Sequence, residues 1–168
     1  AKEAYGWASR STKYKSAALS QISEIYLIEK KYSDAISYAK ESLNYNRLNL
    51  NALEILSISN RILKNNSESK KWIDNILFFD PLNHFARFEL YLIDPAESNW
   101  KRFSDKVRNE FPEQTYLEIA ISYFERNLNE EAKIIFNNLL SSHPVGLAWS
   151  AYIDEDIEII KTIDGLSI

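Results

Sequence analysis

The run LSQISEIYLIEKKYSDAISYAKESL, residues 19–43, decides the fold. Its apolar and small residues fall at Leu19, Ile22 and Tyr26, then at Ala35, Ala39 and Leu43. This is a helical rhythm, broken once near Lys30–Ser33. Ser33 reads as the N-cap of a second helix, and Asp34 as an acid in its first turn, where the helix dipole favours negative charge. The stretch predicts two antiparallel helices joined by a tight turn.

The pattern then returns. In LEILSISNRILKNNSESKKWIDNIL, residues 53–77, it is shifted by 34 residues: Leu19 maps to Leu53, Ile22 to Leu56, Leu43 to Leu77 and Arg47 to Pro81. In YLEIAISYFERNLNEEAKIIFNNLL, residues 116–140, Tyr116, Ile119, Tyr123, Ala132, Phe136 and Leu140 reproduce the first copy's spacing. Asn129 reads as a cap there, with Glu130 and Glu131 complementing the helix dipole. Between these copies lies a shorter unit: Pro81 to Pro112 is 31 residues and Pro112 to Pro144 is 32. Within it, Asp94-Pro95-Ala96-Glu97 predicts an N-cap, a proline at N1 and a glutamate at N3, and Trp100, Phe103 and Val107 fall on one face of the helix that follows. After Pro144, GLAWSAYIDEDIEIIKTI predicts one or two shorter helices capping the array, and residues 1–15 either finish an earlier unit or lead into the first helix.

Composition points the same way. Three glycines and four prolines in 168 residues are too few for the frequent turns of a sandwich or barrel, and no two glycines lie close enough for a phosphate loop. The absence of cysteine excludes disulfides, thiolate metal sites and cysteine nucleophiles. A net charge of −4 with no basic run argues against a general nucleic-acid binder. No apolar run approaches the roughly 20 residues of a membrane span. The expectation is an all-α chain, and its start at Ala1 without methionine or an apolar leader reads as an excised piece of a larger protein. The compartment is left open.

A 34-residue helix–turn–helix period resembles the tetratricopeptide repeat (TPR). That family's large apolar residue, its tyrosine late in helix A, its small residue at the helix crossing and its closing proline are met by Leu19, Tyr26 and Ala35, and by Tyr116, Tyr123, Ala132 and Pro144. Asn60 and Ser69 depart from the pattern in the second copy. The resemblance implies a right-handed solenoid of about four antiparallel helix pairs (residues 16–48, 49–81, 82–112 and 113–146) with a C-terminal capping helix over 147–164, a single TPR-like domain spanning 1–168. GWASRSTKYKSAALSQISEIYL, SLNYNRLNLNALEI and FDPLNHFARFELY are also similar to the repeat region of large bacterial proteins of unknown function that carry an N-terminal mutarotase-like β-sandwich. That similarity implies a bacterial origin and a carbohydrate context for the parent, and it brings no catalytic residue to this segment.

In a solenoid of this kind the first helices of the pairs line a groove where partners bind. The repeat register places Ser20, Glu24, Asn51, Glu54, Ile58, Arg61, Gln114, Phe124 and Glu125 on that face. The implied role is non-catalytic: a scaffold for a protein or peptide segment, or for a neighbouring domain of the same chain. The alternative is an accessory carbohydrate-binding region of a sugar-processing parent.

One cluster invites an enzymatic reading. His84, Arg87, Glu89 and Asp94 lie within FFDPLNHFARFELYLIDP, residues 78–95, where a histidine could act as a base oriented by a carboxylate. No nucleophile or oxyanion device accompanies it, so a polar joint that satisfies orphan groups at helix ends is the preferred reading of His84 and Arg87. His84 and His143 are far apart and lack the i, i+4 pairing of a metal site; the acidic run 154–158 lacks the glycine and spaced oxygens of a calcium loop. No metal or cofactor is expected. Tyr26, Trp100, Phe103, Tyr123 and Phe136 sit on apolar stripes and are expected to pack.

Overall fold

The computed structural model describes residues 1–107, 111–139 and 144–153. Among them are ten α-helices and no strand: α1 Lys2–Ala8, α2 Lys15–Ile28, α3 Tyr32–Tyr45, α4 Leu50–Ile62, α5 Asn66–Phe79, α6 His84–Ile93, α7 Glu97–Val107, α8 Pro112–Glu125, α9 Asn129–Leu139 and α10 Pro144–Ile153. The chain forms two compact units, Ala1–Phe103 and Ser104–Ile168. The expected cap beyond Ile153, the acidic run 154–158 and His143 lie outside the described residues.

In the first unit α2 pairs with α3 and α4 with α5. The pairs are antiparallel: Ser16 meets Ser42 at one end of α2–α3, and Ser23 meets Ala35 at the other. Small residues allow the close approach. The Ser23 hydroxyl donates to the Ala35 carbonyl at 2.7 Å, and 34 residues later Ser69 donates to the Ser57 carbonyl at 2.8 Å. The two helices meet at the same positions, but the donor has moved to the other helix. Ser69, which stands where the first copy has Ala35, therefore restores the crossing bond from the opposite side. Asn60, in place of tyrosine, is buried and donates to its own helix at the Leu56 carbonyl, 2.7 Å away.

Each of three turns inside a pair closes by one device. Lys30, Lys64 and Asn127 adopt φ near +60° (61°, 63° and 61°). The next residue's N–H then reaches five residues back: Lys31 to Tyr26 (2.8 Å), Asn65 to Asn60 (2.8 Å) and Leu128 to Tyr123 (3.0 Å). This is the Schellman motif, which satisfies carbonyls that the helix end leaves orphaned. The following helix starts at once, which corrects two expected caps. Lys31, not Ser33, is the N-cap of α3, while Asp34 does lie in its first turn. Asn129 is the first residue of α9, whose Ala132 N–H reaches the Leu128 carbonyl.

The turns between pairs repeat as well. Asn46 and Asp80 each accept from the N–H two residues on, at 3.0 and 3.1 Å. Asn49 and Asn83 are side-chain N-caps of α4 and α6, accepting from Ala52 and Ala86 at 3.2 and 2.9 Å. Two hydrogen bonds thus recur at a spacing of 34. Asp94 is the C-cap of α6 and not the N-cap of α7; its carboxylate accepts from the Asn99 amide at 3.0 Å, and α7 begins at Glu97. Pro95 cannot donate to a helical ladder and follows directly on the end of α6.

Leu53, Ile73, Ile76 and Ala86 form a buried cluster joining α4, α5 and α6. Each fully buried isoleucine there contributes roughly 1.5–3 kcal/mol. In α6 and the first part of α7, contact is aromatic: Phe88 meets Trp100 and Phe103, and Tyr91 meets Trp100, with ring centroids 5.2–6.4 Å apart. Phe85 and Phe88 are both core.

In the second unit α8 pairs with α9, and α10 packs on α9. Trp149 of α10 stacks on Phe136 with ring planes 2° apart and meets Phe124 edge-on. Tyr123 and Phe136 are fully buried.

Candidate functional site

The groove-face residues of the first unit divide into three kinds. Ile58 is fully buried, so it braces α4 from within and offers no surface to a partner. Ser20 is also buried, its hydroxyl donating to the Ala17 carbonyl at 2.9 Å. The remaining residues are polar links and half-buried surface.

Two links join first helices of successive pairs. From α4, the Asn51 amide donates to Glu24 Oε2 on α2 at 3.3 Å, and Gln21 also donates to that oxygen at 3.4 Å. Farther along, Arg61 at the end of α4 grips Glu89 on α6, Nε to Oε2 at 2.8 Å and Nη2 to Oε1 at 3.1 Å. The Glu89 side chain is fully buried and Arg61 is 11% exposed, so the pair is largely withdrawn from water. A bidentate pair of this kind fixes geometry as well as charge. The links span 27 and 28 residues, one repeat less about two helical turns. Each therefore joins neighbouring first helices with nearly the same offset, about two turns along the axis. Glu24, Asn51 and Glu54 are half-buried along this α2–α4–α6 row.

The cluster singled out around His84 does not assemble as one site. His84 opens α6 directly after the Asn83 cap. Arg87 donates to the Pro81 carbonyl, closing the turn between pairs. Glu89 is held by Arg61, and Asp94 accepts from Asn99. A carboxylate that holds an arginine in two hydrogen bonds is poorly placed to orient an imidazole. Among the described residues no group of three or more His, Cys, Asp or Glu could hold a metal ion, and no helix is long and apolar enough to cross a membrane.

In the second unit Gln114 is exposed and donates to Glu118 one turn on at 2.9 Å, and Glu125 is exposed at the end of α8. Phe124 is half-buried against Trp149 and Tyr152 of α10, and with Ala148 they surround a cavity of about 290 Å³. Its ring therefore serves the packing of α10.

Sequence reasoning grouped Glu89 with its chain neighbour His84 and missed its bond to Arg61. The signal was the 28-residue separation of opposite charges on two first helices. Comparison with protein-family models, with curated proteins and with solved structures finds no match.

Proposed function

We propose that the protein is a non-catalytic interaction scaffold, a right-handed TPR-like solenoid whose α2–α4–α6 row receives a segment of a protein partner or of a neighbouring domain of its own chain. The observation that carries this reading is the pair of links Glu24–Asn51 and Arg61–Glu89. They hold successive first helices side by side with nearly the same offset, as a continuous recognition face requires. Fixing these side chains in advance lowers the ordering cost of binding. The half-buried acids and amide, Glu24, Glu54 and Asn51, favour a segment with basic or hydrogen-bonding side chains.

A displayed peptide library panned on the intact chain tests it. The expected result is a set of basic or polar peptides whose binding falls at least tenfold in the Glu24→Lys, Glu54→Lys double variant, with helical content retained. A library that yields no saturable binder, or binders indifferent to the double variant, would remove the proposal.

A further inference from the structure

A cavity of about 460 Å³ opens in the first unit on the second helices of the pairs, α3 and α5, with Leu53 alone coming from α4. Its volume falls in the roughly 300–1,000 Å³ span of ligand sites. Lys40, Leu43 and Asn44 follow one another at i, i+3 and i+4 on α3, with Arg47 just beyond its end. Trp72, Asn75 and Phe79 take i, i+3 and i+7 on α5, so each helix turns a single face to the cleft.

The chemistry of that lining is one-sided. Lys40 and Arg47 are exposed cations, and no lining residue is acidic, although the chain as a whole carries −4. Glu68, one turn before Trp72, pairs with Lys71 at 3.6 Å. Asn44 and Asn75 supply amide donors at the same cleft. Leu43 and Trp72 give it an apolar wall, and Phe79 remains 56% exposed at its margin. The Trp72 indole N–H is enclosed without an acceptor, an unusual state for a buried donor.

We propose that this cleft docks an acidic peptide segment in which a large apolar side chain is flanked by aspartates or glutamates. The apolar side chain fills the space between Leu43, Trp72 and Phe79, and the flanking carboxylates meet Lys40 and Arg47. Charge complementarity selects this occupant: a basic segment would meet two like charges, and a purely apolar one would leave both cations facing nothing. The inference does not depend on the α2–α4–α6 row, whose acids favour the opposite charge.

Fluorescence anisotropy with the full chain provides the test. The probes are a labelled hexapeptide of leucine and phenylalanine flanked by two glutamates on each side, the same peptide with glutamines, and a short single-stranded oligonucleotide of equal charge. Saturable binding of the acidic peptide is expected, at least tenfold tighter than the glutamine peptide or the oligonucleotide. The Lys40→Glu, Arg47→Glu double variant should lose at least tenfold, and the Glu24→Lys, Glu54→Lys variant should not. If charge reversal disturbs the helices, Lys40→Gln with Arg47→Gln removes the charge at similar length and should still weaken binding. The inference is overturned if the acidic peptide does not bind, if the glutamine peptide or the oligonucleotide binds as well, or if neutralising both cations leaves the affinity unchanged.

Discussion

Arg61 and Glu89 lie 28 residues apart on neighbouring first helices and share two hydrogen bonds with almost no access to water. Burying two charges costs desolvation that good geometry only just offsets, so the pair is better understood as a fixture of register than as a source of stability. Removing one partner is a different matter. Arg61→Ala takes both of these hydrogen bonds from a buried carboxylate and should cost about 3–5 kcal/mol in denaturant unfolding. Replacing both residues by apolar ones of similar volume, Arg61→Met with Glu89→Leu, should recover most of that loss. If the double variant is as unstable as the single one, the pair is not an isolated charge fixture.

The side-chain caps between pairs should differ in weight despite their equivalent positions. Asn83 accepts from Ala86, and its Ala substitution should cost about 0.5–2 kcal/mol. Asn49 makes the same bond and also donates to the Ser16 and Ser42 hydroxyls at 3.0 and 3.2 Å. Ser42 is fully buried, so its hydroxyl depends on partners inside the protein. Asn49→Ala should therefore exceed Asn83→Ala by about 1 kcal/mol in paired unfolding curves. Equal losses would show that the Ser16–Ser42 network carries no weight.

Much of this fold was legible in the spacing of Leu19, Ile22, Tyr26, Ala35 and Leu43, because a helix must bury one stripe and two copies of a stripe imply the same pairing. Where each helix starts was not. Ser33 and Asn129 carry good capping side chains, yet the Schellman turn before them begins the helix earlier and leaves those side chains inside it. Asp94-Pro95 misled for a related reason: the aspartate is consumed by the end of α6 and by Asn99. The register assigned the candidate face to helices but could not sort its side chains. Register puts Ile58 near Arg61, and only packing reveals that one is core and the other half of an ion pair. Of the α3–α5 cleft the stripe carries only Leu43 and Leu53; the cations, amides and aromatic rings of its lining fall outside the stripe, on two helices separated in sequence by a third.

The turns inside the pairs give a prediction with a sign that depends on residue type. A left-handed conformation costs an ordinary side chain roughly 1–2 kcal/mol, and glycine avoids that cost while losing more chain entropy on folding. Lys30→Gly and Lys64→Gly should each raise stability by about 0.5–1 kcal/mol. Asn127→Gly should change little, because asparagine already tolerates this region. A β-branched residue at any of the three, such as Lys64→Val, should lower stability instead. Thermal unfolding of the four variants decides the matter, and stabilisation at Asn127 alone would contradict it.

The N-terminal helix offers the clearest dependence on pH. No residue of α1 is buried, so its attachment leans on Lys2, which reaches Glu29 at 2.6 Å and lies 3.8 Å over the Tyr26 ring. Hydrogen bonds from Lys2 first, then from Lys31 at 2.9 Å, hold the Glu29 carboxyl below the ordinary glutamate range. A depressed carboxyl contributes stability that is complete above its unfolded value and is lost as pH falls through its lowered folded value. The attachment of α1 should thus persist through neutral and mildly acidic pH and loosen only under more acidic conditions. Carbon-detected NMR titration of the Glu29 carboxyl should place its midpoint below that of exposed glutamates. Lys2→Ala should return the midpoint most of the way, Lys31→Ala less far, since Lys2 is the stronger cause of the shift. The same Lys2→Ala change should free residues 2–8 at neutral pH, seen as faster amide exchange there with the exchange of α3 unchanged. An unshifted Glu29 midpoint, or an α1 that exchanges no faster without Lys2, would show that the helix is anchored by other contacts.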